Sequence, residues 1–188
     1  VSYPNNPTGA TADDRFYEEL IAFARRYDIA VLHDNAYSEL VFDGPLGKSF
    51  LSYPGAKDVG VELNSFSKTY GMAGARIGIC VGNKEIVGML RKLKSNIDYG
   101  MFLPIQKAAI TALTQDQSVV EETREQYQKR RDMLVEGFHK AVWEVASPKG
   151  TMFMWAAIPK TYANSEQFAI SLLQKTGVLV TPGSAFGT

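Results

Sequence analysis

The sequence has few of the residues that announce a site most directly. Its only cysteine is Cys80, so neither an intramolecular disulfide nor a cluster of thiolate metal ligands can form, and no metal site is expected. A lone thiol suits a reducing compartment, and a cytoplasmic location is expected. Excess charge is also missing. Twenty basic side chains balance twenty acidic ones, which removes the field that would draw the chain to nucleic acid or an anionic membrane; neither is expected as a partner. No apolar run reaches the roughly 18 residues that a membrane-spanning helix needs. The amino end lacks the basic and apolar regions of a secretory signal. Internal repeats and low-complexity stretches are absent as well. What remains is a chain of 188 residues, 45% of them apolar, enough to bury a core of one or two domains.

Helical and strand patterns alternate along most of it. Tyr3-Pro4-Asn5-Asn6-Pro7-Thr8-Gly9 is dense in turn formers and predicts a sharp turn after a short strand. Thr11 with Asp14 predicts a helix start, and Tyr17, Leu20, Ile21, Ala24 and Tyr27 then share one helical face. The run Ile29–Leu32, ending in His33-Asp34, predicts a strand covered on both faces. Further strands are expected over Val61–Phe66 and Ile77–Val81. Ile86, Met89, Leu90, Leu93 and Ile97 mark an amphipathic helix, and beyond Pro104 the pattern is helical almost to residue 142, with a break near Thr114–Asp116. Short strands are expected at Trp143–Val145 and Met152–Ala156, then a helix capped by Asn164 with Gln167 and stopped by Gly177. The fold class is α/β: part of a mostly parallel sheet with flanking helices over residues 1–115, then an interdomain helix and an incomplete, smaller α+β unit over residues 116–188.

Four local signals bear on chemistry. Asn5-Asn6-Pro7-Thr8-Gly9 is by itself a turn. Asp34-Asn35-Ala36-Tyr37 leaves the carboxyl end of a strand, where α/β sheets place ligands, though Asp is also a common helix cap. Ser65-Phe66-Ser67-Lys68-Thr69-Tyr70-Gly71 sets two hydroxyls and a lysine at another strand end. Arg76 follows Lys68 by eight residues; an isolated arginine there would ordinarily form a surface ion pair. His33 should face away from Asp34, because neighbours in a strand alternate. His139 falls on a charged helix, and Met152–Trp155 has the composition of a small-domain core.

In this order and spacing the four signals resemble the class I/II aminotransferases among the fold-type I pyridoxal-phosphate enzymes, along the whole chain. The resemblance implies pyridoxal 5'-phosphate as cofactor and amino-group transfer between an L-amino acid and a 2-oxo acid. It implies that Lys68 forms the Schiff base and serves as the proton-transfer base. By the same resemblance Asp34 holds the pyridine nitrogen, and Tyr37 and Asn6 hold the ring oxygen. Ser65, Ser67 and Arg76 hold the phosphate, for which a guanidinium fork is suited. A homodimer is implied too, with Ser95–Phe102 near the neighbouring subunit's active site, although that segment could equally be a plain connector. Family members carry a phosphate-contacting loop before the Asn-Pro-Thr-Gly turn and a substrate-binding arginine beyond a stretch like Pro182–Gly187. The chain is accordingly expected to be a fragment of a longer enzyme and inactive alone.

Other readings compete. A lyase catalysing β-elimination could share every one of these residues. A cofactor-sensing domain of a transcription regulator could as well, but Arg91–Lys94 and Lys129–Arg131 read as solvated helix faces rather than phosphate grips. Ser65-x-x-Lys68, Tyr162-x-Asn164 and Lys175-Thr176-Gly177 also match, in order, the signatures of penicillin-recognising acyl enzymes. That context is wrong: Lys175-Thr176-Gly177 should end a helix rather than line a strand, and only ten residues separate Asn164 from Lys175.

Overall fold

The computed structural model describes residues 1–187. Its elements run α1 (Asp14–Tyr27), β1 (Val31–Asp34), α2 (Ala56–Val59), β2 (Gly60–Ser65), α3 (Phe66–Thr69), β3 (Gly78–Gly82), α4 (Lys84–Ile97), α5 (Leu103–Thr114), α6 (Ser118–Lys140) and α7 (Ser165–Thr176). The α/β character is as expected, and the strands begin or end within two residues of the expected positions.

Helix α1 starts two residues beyond where Thr11 would have capped it. Asp13 is the cap instead, its carboxylate accepting from the Phe16 amide at 2.9 Å, as suits an extended residue with a short acceptor side chain. The buried face consists of Tyr17, Ile21 and Ala24, packed on Val31, Phe50, Tyr53 and Ala56. Tyr27 does not join it. Asp28 turns left-handed directly afterwards (φ 52°) and leaves that ring 54% exposed.

The sheet has the order β1-β2-β3. β1 and β2 are parallel, with Val31 opposite Gly60, His33 opposite Glu62 and Asp34 opposite Leu63. β2 and β3 are antiparallel, Ser65 facing Gly78. Ser2 adds a parallel bridge to Asp34 on the outer side of β1. The three described strands therefore form a mixed sheet, with one parallel and one antiparallel pairing. A parallel β3 would need a crossover that carries the chain back across the sheet to its other end. Here the link is a one-turn helix and a 3-10 turn, Ala73–Ala75, which reverse the chain at the same edge.

The expectation of a strand covered on both faces also fails. Val31 and His33 are buried under α1, whereas Leu32 on the opposite face is 54% exposed. That second face is covered only in part: Val61, the ladder partner of Leu32, is buried. The apolar stripe of α4 is open too, with Met89, Leu93 and Ile97 exposed.

The interruption between α5 and α6 is built by Gln117, whose amide donates to the carbonyls of Ala112 (3.0 Å) and Gln115 (2.7 Å). Its Oε1 accepts from the Tyr70 hydroxyl at 2.8 Å. A small core of Phe66, Ile77 and Ala109 seats the Phe66–Ile77 loop on α5.

Beyond α6 the expected strands at 143–145 and 152–156 do not form, so among the described residues this part carries helix but no sheet. An extended stretch becomes a strand only beside another backbone row; here Trp143 reaches the chain only through its side chain, Nε1 donating to Ala157 O, just beyond the second stretch, at 2.9 Å. The one local pairing is a bridge between Val41 and Gly150, with Phe42 N donating to Lys149 O and Thr151 N to Leu40 O, both at 2.8 Å. Met152–Trp155 is not a core: Trp155 is 44% exposed, and Phe153 packs edge-on against Tyr37. Helix α7 follows the expectation. Asn164 accepts from the Gln167 amide at 2.9 Å, and Gly177 ends the helix at φ 75°. The return bond of the expected capping box goes one residue further back, to the amide of Ala163.

Candidate active site

The register of the sheet brings the candidate residues to one edge. Asp34 ends β1, Ser65 ends the parallel β2, Ser67 and Lys68 lie in α3 immediately after it, and Arg76 precedes the antiparallel β3. The Ser2–Asp34 bridge runs parallel to β1, so the turn that follows Ser2 emerges at the same edge and carries Asn6 there. Carboxyl ends of parallel strands are where open α/β sheets leave room for a ligand, because the connecting segments diverge.

The turn is held by Asn5, a residue to which the sequence pattern assigned no separate task. Its carboxamide oxygen accepts from Thr8 N (3.2 Å) and Thr8 Oγ1 (2.7 Å), and its backbone bonds to Gly9 and Ala10. Gly9 has φ 71°, and a Cβ there would sit 2.9 Å from both Gly150 O and Pro148 Cβ. The turn is thereby pressed against the 148–151 segment, and only glycine fits.

Tyr37 is buried. Burial pushes its phenol pKa up, the negative charge of Asp34 adds to the shift, and a hydrogen bond with the Asn6 side chain works against it. Asn6 and Asp34 thus both lie near Tyr37. Ser65 uses its oxygen to cap α3, accepting from Ser67 N at 3.2 Å, and its hydroxyl proton stays available. Arg76 is left-handed (φ 51°) and directs one Nη to Ala73 O at 3.0 Å, which fixes the stem and frees the rest of the fork.

The charged groups at this edge have no charged partners. Among the described residues Asp34, Lys68 and Arg76 form no ion pair, although ten pairings occur elsewhere. Gly71 and Gly74 border them with nothing within 4 Å of where a Cβ would point. A carboxylate, an amine, a guanidinium, two hydroxyls, a phenol and an amide thus stand at one edge of the sheet. This donor set fits pyridoxal phosphate group for group: carboxylate for ring nitrogen, phenol and amide for ring oxygen, amine for aldehyde, and hydroxyls with guanidinium for phosphate.

A cavity of about 820 Å³ lies elsewhere, between the Tyr3–Pro4 turn, the start of α1 and residues 41–48. Of its charges, Asp14 and Lys48 neutralise each other, whereas Asp13 and Lys149 form no ion pair among the described residues. Among the described residues no cluster of three or more His, Cys, Asp or Glu side chains could hold a metal.

One group of functional appearance escaped the sequence pattern. His33 does face away from Asp34, but it is fully buried and bonded on both ring nitrogens, to Tyr17 Oη (3.1 Å) and Glu62 Oε2 (3.2 Å). The available signal was Glu62 itself, a carboxylate between Val61 and Leu63 in a strand.

The profile of the family described as "Aminotransferase class I and II" matches residues 1–188. LL-diaminopimelate aminotransferase of Moorella thermoacetica is 49% identical over 187 residues, covering 100% of this chain and 48% of that protein. Glutamate-pyruvate aminotransferase AlaC of Escherichia coli is 48% identical over 189 residues, covering 100% of this chain and 46% of that protein. Apo-BacF from Bacillus subtilis has the same fold, with a TM-score of 0.96 and 42% identity over 100% of this chain and 48% of that one. The chain spans about half the length of the curated relatives it matches.

Proposed function

The chain belongs to the class I and II aminotransferases, and from that premise we propose that the full-length protein moves an amino group between an L-amino acid and a 2-oxo acid, with Lys68 as Schiff-base lysine and proton-transfer base. The observation that carries the reading is the convergence of Asp34, Lys68 and Arg76, none of them ion-paired, on one sheet edge. Pyridoxal phosphate, when bound, supplies an electron-accepting ring that makes the α-proton of an amino acid removable. The chain's own residues do the rest. Asp34 keeps a proton on the ring nitrogen through its negative charge. Asn6 and the Tyr37 hydroxyl hold the ring oxygen, and their mutual contact fixes the tilt of the phenol. Ser65 and Ser67 donate hydroxyl protons to the phosphate, and the free side of Arg76 meets it with a fork. Lys68 Nζ takes the proton from the substrate's α-carbon.

The same reading places residues 1–115 in the larger, cofactor-binding domain and residues 116–188 in the interdomain helix and the start of a smaller one. It includes a homodimer, supported by Tyr99 and Phe102, which stand 91% and 71% exposed in the Ser95–Phe102 segment. A cytoplasmic location belongs to it as well; among the described residues no helix is long and apolar enough to cross a membrane.

The test is a visible absorbance spectrum of the full-length protein purified with pyridoxal phosphate, beside Lys68→Ala. The expected result is a band in the wild type that responds to added amino acid and is missing from the variant. Equal spectra from both proteins would overturn the role of Lys68, and release of ammonia in place of amino transfer would overturn the reaction class.

A further inference from the structure

We propose that Glu62, which lies outside the cofactor-contacting set, is a positioning residue for Asp34; the inference rests on the role proposed above for Asp34. The side chain of Asp34 is exposed and has no partner among the described residues, so its aim is set through the backbone. That backbone is tied on both sides. Its own amide donates to Val1 O and the Asn35 amide to Leu63 O, each at 2.9 Å. The side chain of the preceding residue, His33, bonds to a buried carboxylate, Glu62, at 3.2 Å, and the following residue, Asn35, is buried and among the groups that lower the Glu62 pKa.

Glu62 is a hub. Its Oε2 accepts from His33 Nδ1 (3.2 Å), Ser49 Oγ (2.9 Å) and Phe50 N (2.7 Å), and its Oε1 accepts from Asn64 Nδ2 (2.8 Å). His33 and Glu62 are direct partners in the parallel ladder. The arrangement in which Nδ1–H donates to Glu62 and Nε2 accepts from Tyr17 satisfies both ring nitrogens. Burial alone would raise the Glu62 pKa; the bonds from His33, Asn64, Asn35 and Ser49 outweigh it and bring it down to about 2. Glu62 is therefore an anion in the folded protein, buried to 3% exposure and surrounded by donors. A neutral side chain cannot hold four or five donors at once, so replacing the charge loosens both anchors beside Asp34. Asn64 carries the same constraint to the neighbour of Ser65. The Oδ1 of Asn35 is buried without a partner among the described residues.

The experiment is a double-mutant cycle on the full-length holoenzyme, reading the dissociation constant of pyridoxal phosphate and the pH midpoint of its visible band. Glu62→Gln is expected to weaken cofactor binding roughly tenfold, a size typical of coupled neighbours. Its band midpoint should move in the direction given by Asp34→Ala. In an Asp34→Ala background the further effect of Glu62→Gln should shrink to less than about twofold. Asn35→Ala, which removes one anchor and leaves the carboxylate in place, is the milder second variant. It should give a several-fold loss that likewise vanishes without Asp34, and it keeps the cycle readable if Glu62→Gln does not fold. Losses of equal size in both backgrounds would overturn the positioning role and make the hub a matter of stability alone. Unchanged cofactor binding in Asp34→Ala itself would instead overturn the role of Asp34, a separate result.

Discussion

Acid should destabilise the protein specifically through Glu62. Its carboxyl is held at about 2 against an ordinary value of 4.5. At about 1.36 kcal/mol per pKa unit, the difference contributes about 3 kcal/mol to folding. Because the folded value lies below the unfolded one, the unfolded chain takes up this proton first as the pH falls. The contribution is complete above about pH 5 and is lost as the pH falls from about 4.5 towards 2. By about pH 3 more than half of it, ~2 kcal/mol, is gone. Glu62→Gln removes the titrating group while keeping the shape. Urea unfolding of the full-length wild type and variant, followed by circular dichroism at a series of pH values, gives two stability curves. Their gap is expected to narrow by ~2 kcal/mol between about pH 6 and pH 3. Asp14, Asp43 and Asp98 are also held below the usual carboxylate range, by bonds from Lys48, Arg131 and Lys94 respectively. They are exposed and common to both proteins, so they cancel in the difference. A gap that stays constant over this range would refute the reasoning, because it would mean that the buried carboxylate titrates as it does in the unfolded chain.

Two further perturbations probe the scaffold. Gly9→Ala forces a methyl group to 2.9 Å from a carbonyl oxygen at a positive φ, and a cost of about 2–4 kcal/mol is expected; a melting temperature equal to that of the wild type would show that the 148–151 segment simply moves aside. Tyr17→Phe leaves His33 Nε2 buried without its 3.1 Å partner, and the urea midpoint should fall by the equivalent of about 1–3 kcal/mol with an unchanged slope.

How much of this was legible in the sequence follows from how local each determinant is. Helices α4 to α7 were readable because their signals sit within a turn of themselves: Asn164 and Gly177 bracket α7 at the expected ends, and the break at residues 115–117 lies where three polar residues interrupt the pattern. The sheet was readable in its strands but not in its directions, since the reversal before β3 depends on a one-turn helix packing its Phe66 on α5. The missing strands after α6 failed for the opposite reason. Alternation and β-branched residues describe a willingness to be extended, and pairing needs a neighbour whose position no local pattern encodes. Coverage of β1 was misjudged likewise: a continuous apolar run reports hydrophobicity on both faces and not whether anything lies over them.

The candidate site divides along the same line. Asp34, Ser65, Ser67, Lys68 and Arg76 stand at strand ends within short motifs, and any fold that keeps those strands adjacent brings them to one edge. Glu62 is different. Its tie to His33 exists only because β1 and β2 pair with Val31 opposite Gly60. A slip of one residue would turn His33 and Glu62 to opposite faces of the sheet and leave a carboxylate buried without its donors, at a cost that no apolar contact nearby could offset. The carboxylate proposed to position the site therefore also favours this register over a one-residue slip. Reading it from sequence would require the pairing in advance, and the pairing is itself specified in part by the buried charge.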